Sequence, residues 1–245
     1  MIKQLAVITE RKSDFSLLLE RIPGVRVQYI RPDEAEYYDM GIYDQFCLLG
    51  GTSQEPLVLS IAVRKKLEEQ LAAGKRFFCE YVSSFGMVYC APPKSTRFMR
   101  LLCAGEDAEG LVEGDILEDQ CNNFISPYFI EKTARPLLIY REFVAAHSRA
   151  VLTDKEKKEH ASWGLFFERE NLMLCSFQLC DFLKARFSPL GYWRSMVRYI
   201  LSWLTGGDVS GLEMPPAYTT GRTVENLEQE LAVGISAAVG WYSEA

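Results

Sequence analysis

The chain has 245 residues, 48% of them hydrophobic and 24% charged, an ordinary balance for a globular protein and enough to bury a sizeable core. A net charge of -6 and a pI near 5.2 leave no basic field to attract phosphate backbones, which excludes nucleic acid as a partner class. No apolar run approaches the roughly 18 residues that span a bilayer, and the opening Met1-Ile2-Lys3-Gln4-Leu5 reads as a strand rather than a leader; the expectation is a cytoplasmic protein without membrane association.

Lys3 to Thr9 reads as a buried strand, followed by a short amphipathic helix from Asp14 to Ile22 that Ser13 or Asp14 can cap and Pro23-Gly24 stops. Val25 to Ile30 alternates apolar and polar as a half-buried strand does. Tyr43 to Leu49 is the third strand, and Gly50-Gly51 lets the backbone turn without a Cβ clash. Thr52 or Ser53 is the expected cap of the next helix, with Glu55 and Pro56 in its first turn, Leu57, Ile61, Leu67 and Leu71 as its apolar stripe, and Ala72-Ala73-Gly74 as its close. A fourth strand then runs to Glu80-Tyr81-Val82-Ser83-Ser84. This alternation predicts a flavodoxin-like, doubly wound and mostly parallel α/β sheet, whose functional edge is the carboxyl ends of its strands.

From Val88 to about Ala134 the periodicity weakens, and loops with one or two short strands are expected. Pro136 to Ala145 is another strand. Trp163 to Phe167 and Leu172 to Phe177 form an antiparallel hairpin, expected at one edge of the sheet, and the mixed charges of Asp154 to Glu159 read as a solvated turn. After Pro189, Trp193, Met196, Val197, Ile200, Leu201 and Leu204 fall on one helical stripe that must pack on the sheet. Residues 1–205 thus form one domain, 206–222 a linker around Pro215-Pro216, and 223–245 a C-terminal helix with the stripe Val224, Leu227, Leu231, Ile235, Ala238 and Tyr242. That apolar face needs a partner: the sheet domain, another subunit, or a following domain.

Seven cysteines (Cys47, Cys79, Cys90, Cys103, Cys121, Cys175, Cys180), odd in number and without a C-x-x-C pair, read as reduced, mostly buried thiols. Two isolated histidines, His147 and His160, and no clustered carboxylates leave no metal shell, and Gly50-Gly51 lacks the phosphate-loop pattern, so no cofactor is expected.

At Gly50-Gly51, at Cys79-Glu80-Tyr81-Val82-Ser83 and at Ser176-Phe177-Gln178, the layout resembles the class I glutamine amidotransferase-like superfamily. Its active members carry a Gly-Gly turn after the third strand, a G-x-C-x-G elbow after the fourth, and a late Q-F-H-P-E. The resemblance puts Tyr81 at the nucleophile's place and, through Gln178-Leu179-Cys180-Asp181, Cys180 at the histidine's, so both catalytic positions are lost. A tyrosine facing a cysteine supplies neither an activated thiolate nor its base. The ending from Phe182 to Leu204 resembles noncatalytic members attached to carbohydrate enzymes, such as beta-galactosidase trimerisation domains, and the tail from Pro215 to Tyr242 resembles the entry of an α/α-toroid glycosidase.

The resemblance implies a noncatalytic accessory domain of a carbohydrate-active protein, acting in assembly or in shaping a neighbouring site, with self-association or a downstream glycosidase-like domain as partner. Cys79, behind Phe77 and Phe78, reads as a structural thiol. One alternative is a small serine hydrolase using Ser83 or Ser84 with His147 as base, which requires contact between hydroxyl and imidazole. Another is a sugar-binding module, with Glu80 and Tyr81 at the strand end, Gln178 nearby, and Arg97 or Arg141 completing a polar pocket.

Overall fold

The structure, a computed structural model, describes residues 2–50, 54–105, 107–117, 119, 122–129, 133–142, 150–179 and 190–212. In chain order the elements are β1 (Lys3–Ile8), α1 (Asp14–Leu19), β2 (Val25–Ile30), β3 (Gln45–Leu49), α2 (Ile61–Ala72), β4 (Arg76–Glu80), β5 (Ser84–Phe85), β6 (Val88–Cys90), β7 (Lys94–Ser95), β8 (Met99–Cys103), β9 (Ile116–Leu117), β10 (Asn123–Phe124), β11 (Pro127–Tyr128), β12 (Arg135–Glu142), α3 (Asp154–Lys157), β13 (Trp163–Arg169), β14 (Leu172–Cys175) and α4 (Leu190–Thr205). Nine strands form one mixed sheet in the order β2-β1-β3-β4-β14-β13-β12-β8-β9. Pairing is parallel from β2 to β14 and antiparallel from β14 to β9.

Alternation along the strands sorts side chains into two layers. Leu5, Val7, Cys47, Leu49, Phe78, Met173 and Cys175 face one layer with α1 and α4; Ala6, Ile8, Phe46, Leu48, Phe77 and Cys79 face the other with Val63, Leu67 and Leu71 of α2. Helix α1 starts at Ser13, whose hydroxyl accepts from the Ser16 N–H while Ser16 Oγ accepts from the Ser13 N–H at 2.8 Å, a reciprocal cap worth about 1 kcal/mol. In α4 the whole stripe read from the sequence is buried, Val197, Ile200, Leu201 and Leu204 fully so. Its last carbonyls accept from the amino ends of three strands: Thr205 O from Lys3 Nζ at 2.5 Å and Gln45 Nε2 at 3.1 Å, and Trp203 O from Arg76 Nη1 at 2.6 Å. These donors satisfy carbonyls that a helix end leaves orphaned, and two of them are cations at its negative pole.

Several expectations change. Helix α2 begins at Ile61, capped by Ser60, and not at Thr52 or Ser53, which lie outside the described residues. Leu57 is buried outside the helix, in an isolated parallel bridge to Val82, and Ile61 is 89% exposed. The hairpin β13–β14 does not sit at the sheet's edge: β14 pairs with β4 and β13 with β12, so it joins the two halves of the sheet. The region expected to hold loops with one or two short strands holds six strand segments, β6 to β11, among the described residues, and β8 pairs with β12 over five residues. The charge run at Asp154 holds a one-turn helix with a Thr153–Glu156 capping box. Of the expected linker, residues 206–212 are described; the rest of it and the expected C-terminal helix lie outside the described residues.

Candidate functional site

Register places the candidates. Leu49 of β3 pairs with Glu80 of β4, and Glu80 with Cys175 of β14, so Gly50, Glu80, Tyr81 and the continuation of β14 towards Gln178 meet at the carboxyl edge of three adjacent parallel strands. This is the edge where α/β sheets bind ligands, here called the upper rim.

The rim is closed by its own chain. Gly50 N–H donates both to Glu80 O and to Glu80 Oε2, each at 2.9 Å. Leu57 N–H donates to Tyr81 O and Ser83 N–H to Leu57 O, each at 2.9 Å, so the stretch after β3 is laced to the stretch after β4. Tyr81 N–H donates to Cys175 O, and its hydroxyl donates to Gln54 O at 2.8 Å. A Cβ on Gly50 would stand 2.8 Å from Tyr81 O and 3.0 Å from Tyr81 Cβ, closer than real Cβ atoms come, which is why this turn takes glycine.

Tyr81 itself has φ of +53°, in the left-handed region that a bulky residue enters at a cost of about 1–2 kcal/mol. The turn after β4 therefore carries backbone strain at a residue that is not glycine. The side chain on this strained turn is fully buried, as is that of Glu80, so a ligand reaches neither while the stretch after β3 stays in place. Gln178 is buried on the same edge.

The other candidates are placed differently. Gly51, Cys180 and His147 lie outside the described residues. Ser84 Oγ accepts from Arg64 Nη1 at 2.8 Å, and Arg64 is paired with Glu68 at 2.7 Å. A guanidinium donates to the hydroxyl and cannot take its proton. Ser83 is half-buried, with its backbone carbonyl accepting from the Cys90 N–H. Arg141 lies on β12, three strand spacings or about 14 Å across the sheet from β4, and is held by Glu156 at 2.6 Å and by Val151 O at 2.8 Å. Arg97 is exposed, with its guanidinium 5.4 Å from the Phe98 ring centre. Arg141 is held away from the Glu80–Tyr81 turn.

Cys47, Cys79, Cys90, Cys103 and Cys175 are free thiols. Burial holds Cys47 and Cys79 well above the usual thiol range, and raises Cys90 to about 12 and Cys103 to about 11. A thiol so shifted is a weak nucleophile at neutral pH. Among the described residues no group of three or more His, Cys, Asp or Glu side chains is arranged to hold a metal, and no helix is long and apolar enough to cross a membrane.

A second concavity lies at the opposite, lower edge of the sheet. Thr133, Arg135, Phe167, Arg169, Glu170, Tyr199 and Trp203 line a cleft of about 450 Å³ between α4 and the lower ends of β12 and β13. The sequence reading missed it. One signal was available: Tyr199 and Trp203 are one helical turn apart on the shoulder of the apolar stripe, where their rings face neither the core centre nor open water.

No protein-family model and no curated protein matches the chain. Among solved structures it is similar to the alpha-L-fucosidase isoenzyme 2 of Paenibacillus thiaminolyticus, at 11% identity and a TM-score of 0.52, over 89% of this chain and 35% of that one. It is similar to Agd3, described as a novel carbohydrate deacetylase, at 13% identity and a TM-score of 0.53, over 94% of this chain and 39% of that one. It is also similar to the cytoplasmic protein STM3548 of Salmonella typhimurium, at 7% identity and a TM-score of 0.52, over 83% of this chain and 99% of that one. The chain thus spans little more than a third of the first two, and at these identities the likeness shows a shared α/β fold.

Proposed function

We propose that the chain is a noncatalytic, amidotransferase-like domain of flavodoxin-like type, ending near residue 205, that serves as an accessory module of a carbohydrate-active protein. Its role there is assembly, or the shaping of a neighbouring glycosidase site. The observation that carries the reading is Tyr81: at the turn where an elbow nucleophile would stand, a strained and fully buried tyrosine is tied to Gln54 O. The parallel order β2-β1-β3-β4 supports the fold assignment. That two chains sharing the fold are named a fucosidase and a carbohydrate deacetylase supports the association with carbohydrates.

Two measurements test the proposal. Incubation with glutamine and with a panel of p-nitrophenyl esters should give no turnover above buffer; turnover that Ser83→Ala or Ser84→Ala abolishes would establish the serine hydrolase instead. Light scattering of the full chain should show self-association, or a toroid glycosidase domain added in trans should be retained. A compact monomer that retains no such domain, with residues beyond 212 readily cleaved by protease, overturns the docking role.

A further inference from the structure

We propose that the lower cleft is a binding site for a neutral pyranoside, one or two sugar units in size. At about 450 Å³ it lies within the range of small-molecule sites. Its walls supply two different surfaces. Trp203 is half-buried and packs against the buried Phe167 at 5.2 Å between ring centres and 72° between planes, which fixes an indole against which the C–H face of a sugar ring can stack. Around that indole stand Thr133, Tyr199 and Glu170, groups that exchange hydrogen bonds with hydroxyls; Glu170 is exposed at the mouth and makes no ion pair among the described residues.

Charge decides the ligand class. Both arginines of the cleft already face a carboxylate: Arg135 Nη1 lies 2.7 Å from Asp107 Oδ2, and Arg169 holds the buried Glu168 at 2.5 and 2.8 Å. The Arg135 guanidinium also lies 4.5 Å over the Phe167 ring. With Arg135 matched by Asp107, Arg169 by Glu168, and the Glu170 carboxylate added at the mouth, the cleft carries no excess positive charge to hold a phosphate or uronate. A polyol forms hydrogen bonds with groups already neutralised in pairs and displaces none. The cleft therefore selects an uncharged ligand with one apolar face.

The test is a titration of the full chain with the methyl pyranosides of galactose, glucose, mannose and fucose, alongside glucuronate and inorganic phosphate. It is followed by tryptophan fluorescence and saturation-transfer NMR. Trp163 and Trp193 are only 2% and 1% exposed, so among the described residues Trp203 is the indole placed to respond. The expected result is saturable binding of at least one neutral sugar and none of either anion. Trp203→Leu should weaken that binding at least about tenfold, and Glu170→Ala, a change at the exposed mouth, about three- to tenfold with the melting temperature unchanged. The proposal is overturned if no neutral sugar binds up to about 50 mM, if either anion binds more tightly, or if both variants bind as the parent does. It is independent of the closed upper rim, because loss of sugar binding leaves the turnover and docking measurements where they were.

Discussion

The upper edge of the parallel half-sheet and the lower edge beside its antiparallel half treat their aromatic residues in opposite ways. At the upper rim Tyr81 is driven under the chain, fully buried and held by hydrogen bonds at both ends of the residue; at the lower edge Tyr199 and Trp203 line open space. The upper rim has the position where such sheets usually bind ligands, and the lower edge has the room. Strand topology fixes where a site can be built, while the side chains decide whether one is open there.

The largest expected effect lies at the closed edge. Gly50→Ala sets a methyl 2.8 Å from Tyr81 O and 3.0 Å from Tyr81 Cβ, atoms that cannot swing aside, and should destabilise the fold by about 2–4 kcal/mol in urea unfolding. A stability within about 0.5 kcal/mol of the parent would mean that the rim is looser than its hydrogen bonds imply. Tyr81→Gly comes next. It relieves a left-handed φ of +53°, a gain of about 1–2 kcal/mol, but removes a buried ring for a loss of about 3–5, so a net loss of about 1–4 kcal/mol is expected. Net stabilisation would show that the ring contributes little to closing the rim. Tyr81→Phe isolates the bond to Gln54 O and should lose about 1 kcal/mol.

The smallest effect is at Glu156, whose carboxyl is held below the usual carboxylate range by the Thr153 hydroxyl and N–H and by Arg141. A carboxyl depressed in the folded state stabilises above its unfolded pKa, and that stabilisation is lost as pH falls through the folded value. The group is solvent-screened, so the slope should be shallow. Glu156→Gln should lower the melting temperature slightly at neutral pH, and by progressively less as the pH falls through the carboxyl's folded-state value. A difference that persists in acid would place the effect in packing rather than charge.

Much of the fold was legible because its signals are local. The stripe from Trp193 to Leu204 repeats at helical spacing, and Val25–Ile30 alternates at strand spacing, so both were readable from a few residues. Leu57 misled because an apolar residue in register with Ile61 by sequence is buried for another reason, a parallel bridge to Val82. Strand β8, Met-Arg-Leu-Leu-Cys, is short and without clean alternation, and its place is set by pairing with β12, some forty residues away. The hairpin's interior position is likewise a property of strand order and invisible along the chain. At the site, the presence of a tyrosine rather than a thiol or hydroxyl nucleophile at position 81 was readable from residue type alone. No residue type announces a left-handed tyrosine, and the cleft is assembled from three elements distant in sequence.

The capped end of α4 has a geometric consequence. Because Thr205 O sits 2.5 Å from Lys3 Nζ, the path into the first strand and the path out of the last described helix lie side by side at the lower edge. Polypeptide fused ahead of β1 would begin its course there, at the opposite end of the sheet from Tyr81, whereas the chain after α4 folds back along that helix until Leu212 O accepts from Arg198 Nη2 at 3.3 Å.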